Sequence, residues 1–388
     1  MSPSRRSVAL LGATGSIGVQ TLDVLRRERE KFELVAIAGG EQLSELAAIA
    51  KEFDVKSVAV KSERHRSEFV DLVERDVEIV VGDEGLRDLS QHADVIVNAV
   101  LGFAGLPVTL GALSAGKRLA LANKESLIAA APLVAKVRNT DGAALLPIDS
   151  EHCAIHQCLA SSPGIAGYPD VRRIVLTASG GPFRGWNDEQ LKGATKEDAL
   201  HHPTWTMGAK ITIDSSTLMN KGLEVLEASA LFGIDVERID VVVHPQSIVH
   251  SMVEYVDGSV LAQLSRPDMR LPIAYCLGLP ERLAHAYGAL DFSKPLALSF
   301  EPPDAAAFPA LGLAYEAARV AGAAPAWLSA ANEVAVAAFL ADQIKWRDIV
   351  AIVASTMDHY VADPLDSLSS LYENDDVARR WARASLDR

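Results

Sequence analysis

An apolar run, Ser7–Leu11, passes directly into Gly12-Ala13-Thr14-Gly15-Ser16-Ile17-Gly18, and an amphipathic stretch, Val19–Glu28, follows. A strand, a glycine turn and a helix in that order leave few folds open. Glycines let the backbone turn sharply and approach a pyrophosphate, while a helix N-terminus offers free N–H groups and a favourable dipole to an anion. The spacing is GxxGxxG rather than GxGxxG. In this context it indicates a dinucleotide and says nothing about a second substrate.

The alternation continues to about residue 150. Short β-rich runs at Leu34–Ala38, Ser57–Val60, Glu78–Val81, Val95–Val100, Arg118–Ala120 and Ala143–Ile148 are separated by helical patterns such as Leu43–Lys51. Such alternation predicts βαβ units and a parallel sheet with helices on both faces. The next region is rich in His, Trp and Pro, and its run Val241–Tyr255 alternates as an antiparallel sheet with one buried face does. Pro295, Pro302, Pro303 and Pro309 mark a linker, and the alanine-rich tail reads as helices at Leu311–Ala321, Ala326–Ala341, Trp346–Met357 and Asp375–Ala384. The predicted fold class is α/β, with an N-terminal doubly wound Rossmann-like sheet over 1–150. A central α+β catalytic domain over 151–290, a linker over 291–310 and a C-terminal helical domain over 311–388 complete it.

Composition narrows the partners. With 37 basic and 51 acidic residues the formal charge is −14, which disfavours nucleic acid. No apolar run approaches the ~20 residues of a membrane span, so no membrane partner is expected. Cys153, Cys158 and Cys276 form no CxxC pair, fit neither a disulfide framework nor a zinc site, and suit a reducing cytoplasm. Ser4-Arg5-Arg6 resembles a twin-arginine export signal, but the apolar stretch after it is too short and enters the glycine turn. A first strand after a basic tail is the expectation.

Two polar clusters carry the chemistry. In Pro147-Ile148-Asp149-Ser150-Glu151-His152, an extended start would put Asp149 and Glu151 on one face, a pair suited to a hard divalent cation. In Asp214–Glu224, a helix would place Asn220 and Lys221 on one face with Glu224. Taken alone, the first also reads as a solvated acidic turn and the second as a surface ion pair. Together they favour a metal beside a phosphate or polyhydroxyl substrate, with Glu224 as a third oxygen ligand. Ala178–Phe183 and His201–Gly208 are bounded by glycine and proline, which predicts a lid carrying His202 and Trp205 over a ligand. His244 and His250 sit in the strand pattern and are read as structural or interface residues.

These motifs carry a resemblance over essentially the whole chain. GATGSIG, Asn123-Lys124-Glu125, PIDSEH, SGGPF, HPTWTMG, ITIDSSTLMNKGLE, HPQSIVHSMVEY and Ala330–Val336 resemble the 1-deoxy-D-xylulose 5-phosphate reductoisomerase family. The resemblance implies a cytoplasmic homodimeric oxidoreductase of non-mevalonate isoprenoid biosynthesis. It would use NADPH and Mg²⁺, Mn²⁺ or Co²⁺ to make 2-C-methyl-D-erythritol 4-phosphate. Carried over by motif, Thr14, Gly15, Ser16, Ile17, Asn123, Glu125 and Gly208 would contact the nucleotide, and Asp149, Glu151 and Glu224 the metal. Lys124, Ser150, Glu151, Ser179, His202, Ser215, Asn220, Lys221 and Glu224 would hold the sugar phosphate. Lys124, Asp149, Glu151, His202 and Glu224 would form the catalytic set.

One stretch departs from the family. After the second strand the chain reads Gly39-Gly40-Glu41, where the family usually has a basic residue and Asn after the first glycine. These three positions are expected to meet the adenosine ribose. An acid about twenty residues past the glycine loop usually accepts from a ribose 2′-hydroxyl, so weak discrimination between NADPH and NADH is expected. The competing readings are another GATG-type dehydrogenase, of semialdehyde or homoserine type, and a nucleotide sensor without catalysis.

Overall fold

The computed structural model describes residues 5–73, 76–160 and 168–386. Contacts divide the chain into two compact units. The first comprises Met1–Leu127, Val134–Cys153 and Asp268–Tyr287; the second comprises Ile128–Leu133, Ala154–Pro267 and Gly288–Arg388.

The first unit is built on seven strands: β1 (Arg6–Leu11), β2 (Phe32–Ala38), β3 (Ser57–Val60), β4 (Glu78–Val81), β5 (Val95–Asn98), β6 (Arg118–Leu121) and β7 (Ala144–Pro147). They form a parallel sheet in the order β4-β3-β2-β1-β5-β6-β7. The order reverses at β1, whose Leu11 lies level with Ala38 of β2 on one side and Asn98 of β5 on the other. Open parallel sheets take their ligands beyond the carboxyl ends of the strands at such a reversal. Val8, Leu10, Val95 and Val97 from the sheet pack with Leu22, Val24 and Leu25 of the helix Ser16–Arg27. Between strand and helix, Gly12 has φ 98° and a Cβ there would stand 2.3 Å from the Ala99 carbonyl oxygen. A side chain at Gly18 would meet the Gly12 oxygen at the same distance. Only glycine closes this turn.

The helix Arg270–Gly278 also belongs to this unit and adds Ile273, Ala274, Cys276 and Leu277 to its core. The sequence reading places it in the central domain. An apolar helix does not reveal which core it will fill. Its placement rests on long-range bonds from Arg6 to the Leu277 carbonyl and from Arg118 to the Leu279 carbonyl, each 2.6 Å.

The second unit carries a four-stranded sheet of β8 (Val171–Ala178), β9 (Ile239–Val243), β10 (Val249–Tyr255) and β11 (Val260–Leu264), ordered β11-β10-β8-β9. β8 and β9 are parallel, whereas β10 is antiparallel to both β8 and β11. The sheet is therefore mixed rather than antiparallel throughout. β9 and β10 are the two halves of the alternating run, and they flank β8 instead of pairing with each other. The helix Met219–Phe232 packs on Ala310–Val320, where a Cβ at Gly222 would approach the Ala314 methyl to 2.7 Å. Residues 291–309 form no helix or strand beyond one bridge, Glu301 to Val243. Helices at Ala324–Leu340 and Trp346–Met357 follow close to the expected spans, whereas the last, Leu368–Leu386, begins well before the expected Asp375. Among the described residues no helix is long and apolar enough to cross a membrane.

Candidate active site

The nucleotide end of the first unit lies at the carboxyl edge of its sheet. Gly15 caps the helix Ser16–Arg27 with extended backbone and no side-chain cap, so its first N–H groups are presented as an anion site requires. Ser16 is exposed, and Thr14, Gly15 and Ile17 are partly so. Asn123 is buried, and its amide donates to the carbonyls of Val100 (2.5 Å) and Gly102 (2.6 Å) while its Oδ1 accepts from Ser126 N (2.8 Å). That side chain fastens the loop after β5 to the helix Lys124–Ala129. Glu125 lies half-buried in the first turn of this helix, and Gly208, exposed, caps the helix Ala209–Ser216 of the second unit.

Glu41, beyond β2, is exposed, and its carboxylate is held by Lys61 Nζ at 2.7 Å and His65 Nε2 at 3.1 Å. Lys61 first, then His65, lowers its pKa to about 2. The acid expected at the ribose is thus already occupied by a cation that sequence spacing does not reveal.

Asp149 follows β7 and accepts from the backbone N–H of Glu151 (3.0 Å) and His152 (3.2 Å), opening the helix Ser150–Leu159. The expectation of an extended stretch fails here: Glu151 lies in the first helical turn, and capping by Asp149 orders the pair. The other Asp149 oxygen meets Lys124 Nζ at 3.0 Å, with both side chains largely buried. Ser150 Oγ donates to Glu151 Oε2 at 2.5 Å. The first unit thus presents two carboxylates and an ammonium, a donor set fit for a hard cation and an oxyanion.

In the second unit, the helix Met219–Phe232 brings Asn220, Lys221 and Glu224 together as the spacing predicts. Asn220 Nδ2 and Lys221 Nζ donate to the two oxygens of Glu224, and Lys221 and Glu224 are buried. Leu218, at φ 60°, turns the chain sharply between this helix and Ala209–Ser216. Gly180 and Gly181 have φ of 87° and 68°, and a Cβ at Gly181 would stand 2.4 Å from the Ser215 carbonyl oxygen. The glycine pair therefore lets the Ser179 loop lie against Ser215. His202 Nε2 is 2.9 Å from Ser179 Oγ, while its Nδ1 accepts from the N–H of Thr204 (3.1 Å) and Trp205 (2.9 Å). Two donors on Nδ1 fix the proton on Nε2, and burial lowers the pKa of this imidazole to about 4. Ser179, His202, Ser215, Asn220 and Lys221, the polar residues expected at a phosphate, all lie in this unit.

Three features escape a reading by motif. Strand β8 begins with the solvent-facing pair Arg172 and Arg173, both bonded to Glu254, and its charge hides it. Trp346 Nε1 donates to Ser216 Oγ at 2.8 Å, and Asn332 Nδ2 to Asp214 Oδ1 at 2.7 Å, so tail residues brace the helix that carries Ser215. The AANEVAV motif was the available signal for the latter. His244, by contrast, is buried, with Nδ1 on the Ser299 carbonyl and its ring stacked on Phe300, and His250 meets Ser265 Oγ at 2.9 Å.

A glycine turn at the reversal of a parallel sheet, in a unit that also carries the buried Lys124–Asp149 pair, defines a dinucleotide-binding enzyme of the doubly wound class. The family model for 1-deoxy-D-xylulose 5-phosphate reductoisomerase matches residues 8–131, and two models for C-terminal domains of that enzyme match 145–232 and 264–381. The chain is 49% identical over 381 residues to the 1-deoxy-D-xylulose 5-phosphate reductoisomerase of Chlorobium chlorochromatii, covering 97% of this chain and 98% of that one. It is 46% identical to that of Crocosphaera subtropica, covering 98% and 96%. Among solved structures, the Zymomonas mobilis reductoisomerase in complex with NADPH is 42% identical with a TM-score of 0.92, covering 99% of this chain and all of that one. A DOX-P reductoisomerase in complex with NADPH, fosmidomycin and magnesium is 41% identical, also at 0.92, covering 98% of each. This chain belongs to the 1-deoxy-D-xylulose 5-phosphate reductoisomerase family.

Proposed function

We propose that the chain rearranges and reduces 1-deoxy-D-xylulose 5-phosphate to 2-C-methyl-D-erythritol 4-phosphate, using NADPH and a divalent cation. The observation that carries this is the match to reductoisomerases along nearly the whole chain. The residues fit both groups: an uncapped helix start behind a turn that admits only glycine for the nucleotide, and paired oxygens on Asp149 and Glu151 for a cation.

Asp149, Glu151 and Glu224 would hold the cation, with magnesium supported by relatives described in complex with it. When bound, the cation supplies Lewis-acid polarisation of substrate oxygens and NADPH supplies hydride. Thr14, Gly15, Ser16 and Ile17 would bind the pyrophosphate, and Gly208 and Glu125 the rest of the nucleotide. Asn123, whose amide is engaged, would act through its main chain. Lys124 stabilises oxyanion charge. Ser150, Ser179, Ser215, Asn220 and Lys221 anchor the sugar phosphate, and His202 offers it the Nε2 proton. The Trp205 loop closes over the ligand and excludes water.

The exposed apolar side chains of Val260, Leu261, Phe292 and Phe300 support a homodimer formed through the second unit. The three cysteines, all buried and none in a disulfide, support a cytoplasmic location. A semialdehyde dehydrogenase is not favoured, because its nucleophilic thiol must be reached and ionised: all three cysteines are buried, and burial pushes Cys158 up to about 11 and Cys276 well above its ordinary value.

The test follows NADPH absorbance with 1-deoxy-D-xylulose 5-phosphate, before and after chelation and with Mg²⁺, Mn²⁺ or Co²⁺ restored. Turnover should require both cation and substrate. Nucleotide binding without any turnover would leave the sensor reading instead.

A further inference from the structure

We propose that Lys61 and His65 recognise a 2′-phosphate on the cofactor's adenosine ribose, and that Glu41 is their internal counter-ion, which the phosphate displaces. The proposal rests on the NADPH reading above.

In a doubly wound sheet the adenosine ribose sits past the end of the second strand, where an acid selects the 2′-hydroxyl and a cation the 2′-phosphate. Glu41 taken alone selects the hydroxyl. The structure sets two nitrogen donors against that carboxylate. β3 pairs with β2 with Ala59 level with Ala38, and Gly39 N donates to the Ala59 carbonyl at 3.2 Å. Lys61, directly after β3, therefore leaves the same sheet edge beside residues 39–41. His65 is aimed rather than free to turn. Its ring is only 14% exposed, and Ser62 Oγ lies 2.7 Å from Nδ1, which leaves an Nε2 proton toward Glu41.

The pair of donors spans one carboxylate, Oε1 to Lys61 and Oε2 to His65, and so suits two oxygens of a phosphate equally. A Cβ on Gly40 would meet nothing within 4 Å, so the space beside the cluster is open. Glu41 and Lys61 are 70% and 65% exposed, and a pair so exposed holds weakly against a dianion. Of the neighbouring charges, Arg64 bonds Glu68 at 2.8 Å and feels Glu41 only through its charge, and Glu45 bonds Gln42 at 3.3 Å. The missing basic residue at position 40 is thus replaced from the next strand.

Calorimetric binding of NADPH, NADH, 2′,5′-ADP and 5′-AMP to the full chain, and to Lys61→Met, His65→Gln and Glu41→Gln, tests this. Lys61→Met should weaken NADPH and 2′,5′-ADP roughly tenfold or more while NADH and 5′-AMP stay within about twofold. His65→Gln should act in the same direction, and Glu41→Gln should tighten 2′,5′-ADP. If Lys61→Met binds NADPH as the wild type does, or loses NADH equally, the proposal is overturned. If the wild type binds neither nicotinamide, the functional reading itself falls.

Discussion

Asn332 Nδ2 donates to Asp214 Oδ1 at 2.7 Å, joining two fully buried side chains 118 residues apart. The other Asp214 oxygen meets Lys210 Nζ at 2.9 Å, so the carboxylate is held from both sides. Asp214 stands beside Ser215 and Ser216 in the helix that serves the proposed phosphate set.

Removing the donor leaves a buried acceptor short of a partner, which costs about 1–3 kcal/mol. Asn332→Leu should therefore lower the denaturation midpoint and raise KM for the sugar phosphate more than it lowers kcat. Differential scanning calorimetry beside steady-state kinetics checks both. An unchanged KM would confine Asn332 to packing.

Glu224 presents a different balance, because Lys221 depends on it. Glu224→Gln keeps the shape but strips the charge that Lys221 Nζ donates to, and an uncompensated buried charge is costly. Turnover should fall by orders of magnitude while NADPH binding survives. Glu224→Asp separates chemistry from folding: the charge remains, but its oxygens are withdrawn by one methylene. It should keep most of the thermal stability and still lose turnover and cation activation. Near-wild-type activity and cation dependence in Glu224→Asp would remove Glu224 from the proposed ligand set.

The titration of His202 has a definite sign. Its pKa in the folded chain is about 4, below the 6.5 of an unperturbed imidazole. The unfolded chain thus binds the proton more readily, and the favourable contribution is fully present above pH 6.5 and lost as pH falls toward 4. Denaturant midpoints of wild type and His202→Asn, compared across that window, should converge on the acid side. His202→Ala should also lower kcat and raise KM, since the imidazole would meet substrate when the loop closes. Parallel stability curves would show that the imidazole does not titrate in the buried setting described.

Much of this was legible in the sequence because local rules and tertiary structure agree. Glycines 12, 15 and 18 could serve only a strand–turn–helix, and the i, i+3 and i, i+4 spacing about Glu224 reports a true helix face. What was hidden depends on distant partners. The placement of Arg270–Gly278 rests on carbonyls reached by Arg6 and Arg118, and the pairing of β8 rests on Arg172, Arg173 and Glu254. Asp149 does meet Glu151, but through a helix cap where an extended stretch was expected. Lys61 offers no motif at all; only the adjacency of β2 and β3 brings it to Glu41.

That adjacency shapes the last prediction, which concerns cofactor choice. Glu41 occupies Lys61 and His65, so NADPH should be used with less discrimination against NADH than a basic residue at position 40 would give. Gly40 faces open space, so an arginine fits there without displacing its neighbours. Gly40→Arg with Glu41→Asn would add one cation and release another, and a charge-assisted contact is typically worth ~1.5–3 kcal/mol. The ratio of kcat/KM for NADPH to that for NADH should therefore rise by about tenfold or more, mostly through KM for NADPH. Raising the ionic strength should erode part of the gain, since the added contact is exposed and screened. A ratio that does not move in the double variant would mean that residues 40 and 41 do not face the 2′-phosphate.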